Sequence, residues 1–139
     1  MSTIKDRISV PVDEYTSPCD GWVSEDESVT SVHKKMTEGG YRHMPVLNNG
    51  KPVGIISTRD LYLLDQISET ASDVTAGMLM TETPFTVITG TPLEEVAYEM
   101  SSRKIGSAMV VNPEGEIEGI FTTTDALNAL VEILRGELA

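Results

Sequence analysis

The stretch Gly54-Ile55-Ile56-Ser57-Thr58-Arg59-Asp60 decides the fold, because it returns as Gly119-Ile120-Phe121-Thr122-Thr123-Thr124-Asp125. Each copy has the pattern of a buried strand that ends at a serine or threonine and runs into a helix opened by the aspartate. The helices that follow carry apolar side chains: Leu61, Leu63, Leu64 and Ile67 in the first copy, and Leu127, Leu130, Val131 and Leu134 in the second. The chain therefore contains the same strand-to-helix junction twice.

The repeat extends well beyond this motif. Residues 22–48 align with 86–112, and residues 50–60 align with 115–125. Ten aligned pairs are identical, among them Val46 with Val110 and Met36 with Met100. Matches that keep their order across a whole supersecondary unit indicate a duplication. We place the two domains at residues 8–67 and 74–135, with a small, polar linker at 68–73.

Each copy has the element order β-α-β-β-α, which predicts a mixed α/β (α+β) fold. A short strand (21–24 or 85–88) precedes a helix with apolar residues spaced i, i+3, i+4, i+7. That spacing predicts one stripe per helix: Val29, Val32, His33 and Met36, then Leu93, Val96, Ala97 and Met100. Two strands follow, at 44–47 and 53–57 or at 108–111 and 119–122, joined by turns that contain Gly50 or Gly115.

Charge argues against nucleic acid as a partner. Ten Lys and Arg stand against 22 Asp and Glu, for a net charge of -12 over 139 residues. Binding to DNA or RNA needs a basic surface that neutralises phosphates. Any nucleotide site must therefore concentrate its few cations locally.

Three features predict a cytoplasmic protein. No apolar run approaches the roughly 20 residues of a membrane helix, so we expect no membrane partner. The N-terminus lacks the apolar stretch of a signal peptide. Cys19 is the single cysteine and cannot form an internal disulfide, which suits a reducing compartment.

Catalytic motifs are missing from the sequence. It has no phosphate loop, no His-Glu-x-x-His and no clustered cysteines, and its two histidines and one cysteine make a metal site or a nucleophile improbable. We therefore predict no catalytic residues, no metal and no enzyme activity.

A duplicated β-α-β-β-α unit that ends twice in Gly-Ile-x-Ser/Thr-x-x-Asp resembles the cystathionine-β-synthase (CBS) domain, and a tandem pair resembles a Bateman module. The resemblance covers roughly residues 8 to 135. It implies two repeats packed through their sheets around a pseudo-two-fold axis, with clefts that bind an adenosine-containing ligand. It also implies a homodimer joined through helix faces. The stripes Val29/Val32/Met36 and Leu93/Val96/Met100 are the surface we expect in that dimer.

The resemblance assigns Asp60 and Asp125 to the ribose hydroxyls. A carboxylate can accept two hydroxyl hydrogen bonds at once, and its charge strengthens each. The alternative is that each aspartate caps its helix. Such a cap explains either aspartate alone, but not the Ser or Thr three residues earlier, and this favours ligand binding.

For phosphate, the resemblance points to the hydroxyls at the junctions, which are Ser57, Thr58, Thr122 and Thr123. Backbone N–H groups at the helix start are expected to help. Arg42, His43 and Arg59 add cations in the first copy, where the second has Gly106, Ser107 and Thr124. The alternative is that all three are solvated surface cations. Thr16 and Thr81, with neighbours Tyr15 and Met80, lie where the family lines its adenine pocket.

These features predict a non-catalytic regulatory module that senses AMP, ADP, ATP or S-adenosylmethionine. It requires no cofactor and acts on a separate effector protein. The alternative is a dimerising scaffold that has lost its ligand and acts through protein contacts. The second copy, with Gly106, Ser107 and Thr124 in place of cations, favours that alternative.

Overall fold

The structure, a computed structural model, describes residues 9–19, 21–67, 73–82 and 84–136. The chain divides into two compact units. Unit I comprises Asp20–Pro84, and unit II comprises Met1–Cys19 together with Phe85–Ala139. The described residues form two four-stranded sheets and five α-helices, which confirms the predicted mixed α+β class.

Unit I is built on one sheet with the strand order β2-β3-β4-β5. Strand β2 is parallel to β3, and the other neighbours are antiparallel. Ser28 begins the first helix because its hydroxyl accepts a hydrogen bond from the Ser31 amide. Numbered along the whole chain, the elements are β2 (Val23–Ser24), α1 (Val29–Gly39), β3 (His43–Asn48), β4 (Lys51–Ser57), α2 (Thr58–Ile67), α3 (Ala76–Leu79) and β5 (Thr81–Glu82).

Unit II repeats this plan with parts from two stretches of chain. Its sheet has the order β1-β8-β7-β6, with β6 parallel to β7 and antiparallel pairing elsewhere. A short 3-10 helix, Val12–Tyr15, precedes the first strand. The elements are β1 (Ser17–Pro18), β6 (Thr86–Ile88), α4 (Leu93–Arg103), β7 (Ser107–Val111), β8 (Ile117–Thr122) and α5 (Thr123–Leu134).

The segment that precedes each repeat packs on the other repeat. In unit II, the Val12 amide donates to Thr91 O at 2.8 Å, and β1 pairs with β8. In unit I, the Val29 amide donates to Val74 O at 2.8 Å, and β5 pairs with β4. The boundaries 8–67 and 74–135 thus describe the sequence repeat. In the structure, residues 9–19 pack with the second repeat, and residues 73–82 pack with the first. Residue 8 and most of the predicted linker, 68–72, lie outside the described residues.

The helix stripes expected to form a dimer surface are buried inside their own units. Val29, Val32 and Met36 are at most 4% exposed, and Leu93, Val96 and Met100 are at most 8% exposed. They pack against the sheet residues of the two cores. That assignment is therefore wrong, because a side chain already packed in a core cannot contact a second copy. His33, at the same spacing, is exposed.

Four of the exposed large apolar side chains lie on α5. Leu127, Leu130, Val131 and Leu134 are between 44% and 77% exposed, while Ala129 on the same helix is buried. Ala129 thus faces the core of unit II, whereas these four larger side chains face solvent. In the part of the chain that the structure describes, no helix combines the length and apolar character needed to cross a membrane.

Candidate functional site

In unit I, Ser57 and Asp60 cap the start of α2 reciprocally. The Ser57 amide donates to Asp60 Oδ2 at 2.9 Å, and the Asp60 amide donates to Ser57 Oγ at 3.2 Å. This is a capping box, in which two side chains satisfy two amides that have no partner within the helix. The helix therefore begins at Thr58, two residues before the aspartate expected to open it.

Unit II has the same arrangement at the start of α5. The Thr122 amide donates to Asp125 Oδ2 at 2.8 Å, and the Asp125 amide donates to Thr122 Oγ1 at 3.3 Å. The Thr122 hydroxyl also reaches Asp125 Oδ2, at 3.1 Å. Each box accounts for both the aspartate and the hydroxyl residue three positions earlier. The argument that helix capping leaves Ser57 and Thr122 unexplained is therefore wrong.

Capping occupies only one oxygen of each aspartate. Among the described residues, none donates a hydrogen bond to Asp60 Oδ1. Asp125 Oδ1 accepts from the Ser17 hydroxyl at 3.3 Å. Both side chains are half-buried. Each carboxylate can therefore still accept hydrogen bonds from a ligand while it caps its helix.

Arg42 and His43 lie directly beside the Asp60 cap. Arg42 O accepts a hydrogen bond from the Thr58 amide at 2.9 Å, and His43 pairs with Ser57 between β3 and β4. Burial lowers the pKa of the His43 imidazole; the negative charge of Asp60 opposes this shift, and the positive charge of Arg42 adds to it. The Arg42 side chain is exposed. An anion at this point would meet Arg42 and a histidine that can gain a proton.

Arg59 and Thr58 lie in the first turn of α2, and both are exposed. The corresponding turn of unit II differs. There the Thr123 hydroxyl donates to Gly106 O at 3.2 Å, so it is engaged with the backbone. Thr124 takes the place of Arg59.

The residues expected near adenine lie on or directly before the edge strands that pair with the motif strands. Thr81 pairs with Ile55 in unit I, and Ser17 pairs with Ile120 in unit II. Because Ile55 and Ile120 are equivalent in the repeat, Ser17 is the counterpart of Thr81. Thr16 is therefore the counterpart of Met80 and not of Thr81.

The motif glycines allow these edge strands to approach closely. A Cβ on Gly54 would lie 2.3 Å from Met80 Sδ, and one on Gly119 would lie 2.6 Å from Thr16 Cγ2. Thr16 also donates its hydroxyl to Val12 O at 2.8 Å, so this hydroxyl is already engaged. The glycine of the motif thus places Met80 and Thr16 against the strand that leads to each aspartate.

The predicted site residues therefore form two groups, one in each unit. We call the first the Asp60 site: Arg42, His43, Ser57, Thr58, Arg59, Asp60, Met80 and Thr81. We call the second the Asp125 site: Thr16, Ser17, Thr122, Thr123 and Asp125. Ser17 was missed by the sequence analysis, although aligning Met80-Thr81 with Thr16-Ser17 against the motif glycines would have found it. No group of three or more His, Cys, Asp or Glu among the described residues could hold a metal ion.

Two segments of the chain, residues 9–64 and 71–132, match the family described as the CBS domain. An inosine-5'-monophosphate dehydrogenase of Korarchaeum cryptofilum is 33% identical over 103 residues, which is 74% of this chain and 21% of that enzyme. An uncharacterised protein of Methanocaldococcus jannaschii is 31% identical over 128 residues, 90% of this chain and 46% of the relative. The chain thus spans about a fifth to a half of the length of these relatives.

Among solved structures, the chain is similar to CBSX2 of Arabidopsis thaliana in complex with AMP. The TM-score is 0.76 at 26% identity, and the match covers 90% of this chain and 98% of that one. The similarity therefore extends over nearly all of both chains.

Proposed function

The chain belongs to the CBS domain family, and on that premise we propose that it is a regulatory module that binds an adenosine-containing ligand. The ligand is AMP, ADP, ATP or S-adenosylmethionine. Asp60 and Asp125 accept the hydrogen bonds of the ribose hydroxyls. The similarity to CBSX2, which binds AMP, supports this ligand class.

The observation that carries the proposal is a carboxylate with one oxygen free of the cap, beside an arginine and a histidine. Asp60 caps α2 through Oδ2, and none of the described residues donates to Oδ1. His43, the first residue of β3, and Arg42 directly before it lie next to the cap. A ribose 5'-phosphate needs acceptors for its hydroxyls and donors for its phosphate within a few ångströms. The Asp60 site provides both kinds of group.

Phosphate binding falls mainly to side chains. The Thr58 and Thr123 amides donate to Arg42 O and Gly106 O, and the Asp60 and Asp125 amides donate to the capping hydroxyls. The helix starts therefore offer fewer N–H groups than expected. In the Asp60 site, Arg42, His43 and Arg59 take this role, with hydroxyls from Ser57 and Thr58. In the Asp125 site the corresponding side chains are the hydroxyls of Thr122 and Thr123, which would have to release Asp125 Oδ2 and Gly106 O to donate to phosphate.

Adenine is proposed to lie against the edge strands, on Met80 and Thr81 in unit I and on Thr16 in unit II. Met80 packs over Gly54 and presents a polarisable thioether, which suits an aromatic ring. This assignment follows the family resemblance and the register of β1 and β5.

The proposed role is not catalytic, and it requires no cofactor. The inosine-5'-monophosphate dehydrogenase relative is an enzyme, but this chain matches only 21% of its length. Ligand would act by favouring one arrangement of the chain over another, and so change the activity of an effector protein. We propose a cytoplasmic location, with neither nucleic acid nor membrane as partner, in keeping with the net charge of -12.

A second candidate is a dimerising scaffold, and the exposed face of α5 favours it. Leu127, Leu130, Val131 and Leu134 form a stripe at helical spacing that is open to solvent. We propose a homodimer in which this stripe packs against a second copy. Dimer formation is compatible with ligand binding, so the scaffold replaces the sensor only if no adenosine ligand binds.

Calorimetry distinguishes the two candidates. AMP, ADP, ATP and S-adenosylmethionine are titrated into the wild-type chain and into the variants Asp60→Ala and Asp125→Ala. Each variant should weaken ribose binding at its own site by about 1.5–3 kcal/mol, the usual contribution of a charged hydrogen bond. The exposed Asp26 and Glu99 provide matched controls, since Asp26→Ala and Glu99→Ala remove a carboxylate elsewhere in each unit. Unchanged isotherms for both site variants, with the fold intact, would reject the sensor.

A further inference from the structure

The two candidate sites share their caps but differ in charge. Beside Asp60, positions 42, 43 and 59 hold Arg, His and Arg. The equivalent positions beside Asp125 are Gly106, Ser107 and Thr124. Gly106 O is occupied by hydrogen bonds from the Thr123 amide and hydroxyl.

None of the described cations of unit II is seen in contact with Asp125. Arg103 lies over the Phe85 ring, 4.8 Å from its centroid. Arg135 follows the last turn of α5, about 18 Å along the helix from its start at a rise of 1.5 Å per residue. Lys104 lines a depression of about 360 Å³ whose lining includes Thr123 but neither Thr122 nor Asp125.

Backbone donors do not make up for the missing cations. In unit II the Thr123 and Asp125 amides are both engaged at the start of α5. Asp125 itself carries a negative charge that repels phosphate. An uncharged ligand avoids this repulsion and still finds the Asp125 carboxylate and the Thr122 hydroxyl.

Resting on the proposed function, we propose that the two sites take different classes of ligand. The Asp60 site takes an adenosine ligand that bears phosphate, whereas the Asp125 site takes an adenosine group without phosphate. A single chain would then respond to two metabolite signals, one charged and one not.

The test compares AMP with 5'-methylthioadenosine, which has the same adenine and ribose but no phosphate. Both are titrated calorimetrically into the full chain and into Asp60→Asn and Asp125→Asn. Asparagine keeps an acceptor for the capping amide, and unfolding midpoints verify that each variant folds. Asp60→Asn should weaken AMP binding at least tenfold and leave 5'-methylthioadenosine within about twofold, and Asp125→Asn should do the reverse.

A third variant carries Arg42→Gly, His43→Ser and Arg59→Thr, and so gives the Asp60 site the residues of its counterpart. It should lose the preference of that site for AMP while 5'-methylthioadenosine still binds at the Asp125 site. If both aspartate variants weaken both compounds equally, this inference is overturned and the proposed function stands. If neither compound binds the wild-type chain, the proposed function fails and the inference fails with it.

Discussion

The Ser17 hydroxyl donates a hydrogen bond to Asp125 Oδ1 at 3.3 Å, across 108 positions of sequence. The contact ties β1 to the start of α5 and uses the oxygen that the cap leaves open. Asp60 has no such partner among the described residues. Nearly equivalent junctions in the sequence therefore differ in how much of the carboxylate a ligand can reach.

Ser17→Ala should leave stability nearly unchanged and should not weaken ligand binding at the Asp125 site. The hydrogen bond is long and exposed, so it should contribute less than the about 1.5–3 kcal/mol that is typical of a bond to a charged group. Removing it leaves Oδ1 open to a ribose hydroxyl. Calorimetry with 5'-methylthioadenosine measures the effect. A loss of more than about fivefold would show that Ser17 contacts the ligand itself.

Loss of the capping boxes should destabilise the chain without any ligand. Asp60→Ala and Asp125→Ala should each lower the free energy of unfolding by about 0.5–2 kcal/mol, because the Ser57 and Thr122 amides lose their acceptors. Asp60→Asn and Asp125→Asn should cost less. Urea unfolding of all four variants tests this, and equal stabilities throughout would show that the boxes contribute nothing.

The motif glycines should differ in their tolerance of a methyl group. A Cβ on Gly119 would lie 2.4 Å from the backbone atom Ser17 O. One on Gly54 would lie 2.3 Å from the flexible Met80 Sδ and 2.9 Å from the nearest backbone atom, Thr81 O. Gly119→Ala should therefore cost more than Gly54→Ala, with overpacking typically about 1–3 kcal/mol. Gly106→Ala is the control, since its Cβ would be 3.6 Å from the nearest atom, Thr123 Oγ1. Comparable losses at Gly106 and Gly119 would contradict the packing of β1.

The lowered pKa of His43 predicts a pH dependence of stability. Because its pKa in the folded chain lies below the ordinary value, the unfolded chain binds more protons in that window. The contribution of His43 to stability is therefore complete above the ordinary pKa and is lost as pH falls through the lowered one. The difference in unfolding free energy between wild type and His43→Gln isolates this contribution. A difference that does not vary between about pH 7.5 and 5 would contradict the burial of His43.

A phosphate bound beside His43 should act on the charge of the imidazole in the direction opposite to burial. It favours the protonated imidazole, so AMP should bind more tightly as pH falls from about 7.5 toward the phosphate pKa near 6. Asp60 and Arg42 carry the other charges that act on this ring. His43→Gln should remove the trend. If its AMP affinity follows the same pH curve as the wild type, His43 does not contact phosphate.

The dimer proposed on α5 should not weaken as the salt concentration rises, because its contact is apolar and the two acidic chains repel each other. Raising salt from about 0.05 to 0.5 M shortens the Debye length from roughly 14 to 4 Å and screens the repulsion. Sedimentation should show a dimer that tightens or stays unchanged, while AMP binding weakens. Leu130→Gln should dissociate the dimer, and Thr30→Gln, on the exposed side of α1, is its control. A dimer that dissociates in high salt would show that ion pairs hold it.

Sequence patterns predicted the elements with clear periodicity, because a helix stripe such as Val29, Val32 and Met36 requires a buried face. They did not predict β1 and β5. A two-residue strand has no periodicity, and its pairing with β8 or β4 depends on packing across the chain. The stripe Leu127, Leu130, Val131 and Leu134 has the same spacing as a buried stripe, so spacing alone could not show that it is exposed.

The candidate site was predictable in its residues but not in its hydrogen bonds. The repeated Ser/Thr-x-x-Asp marks both junctions, yet the same pattern serves as a capping box and as a ligand site. Only the geometry shows that Oδ2 is used and Oδ1 is left, and that Ser17 reaches Asp125. The contrast between Arg42, His43 and their uncharged counterparts Gly106 and Ser107 was visible in the sequence from the start.

A crystal structure of the chain with AMP tests the central claim most directly. We predict ribose hydroxyl oxygens within about 3.2 Å of Asp60 Oδ1 while Oδ2 still accepts from the Ser57 amide, and a phosphate in contact with Arg42, His43 or Arg59. Ribose bound away from both aspartates, with Asp60 and Asp125 bonded only to their own helix starts, would show that the motif is structural and would contradict the proposed function.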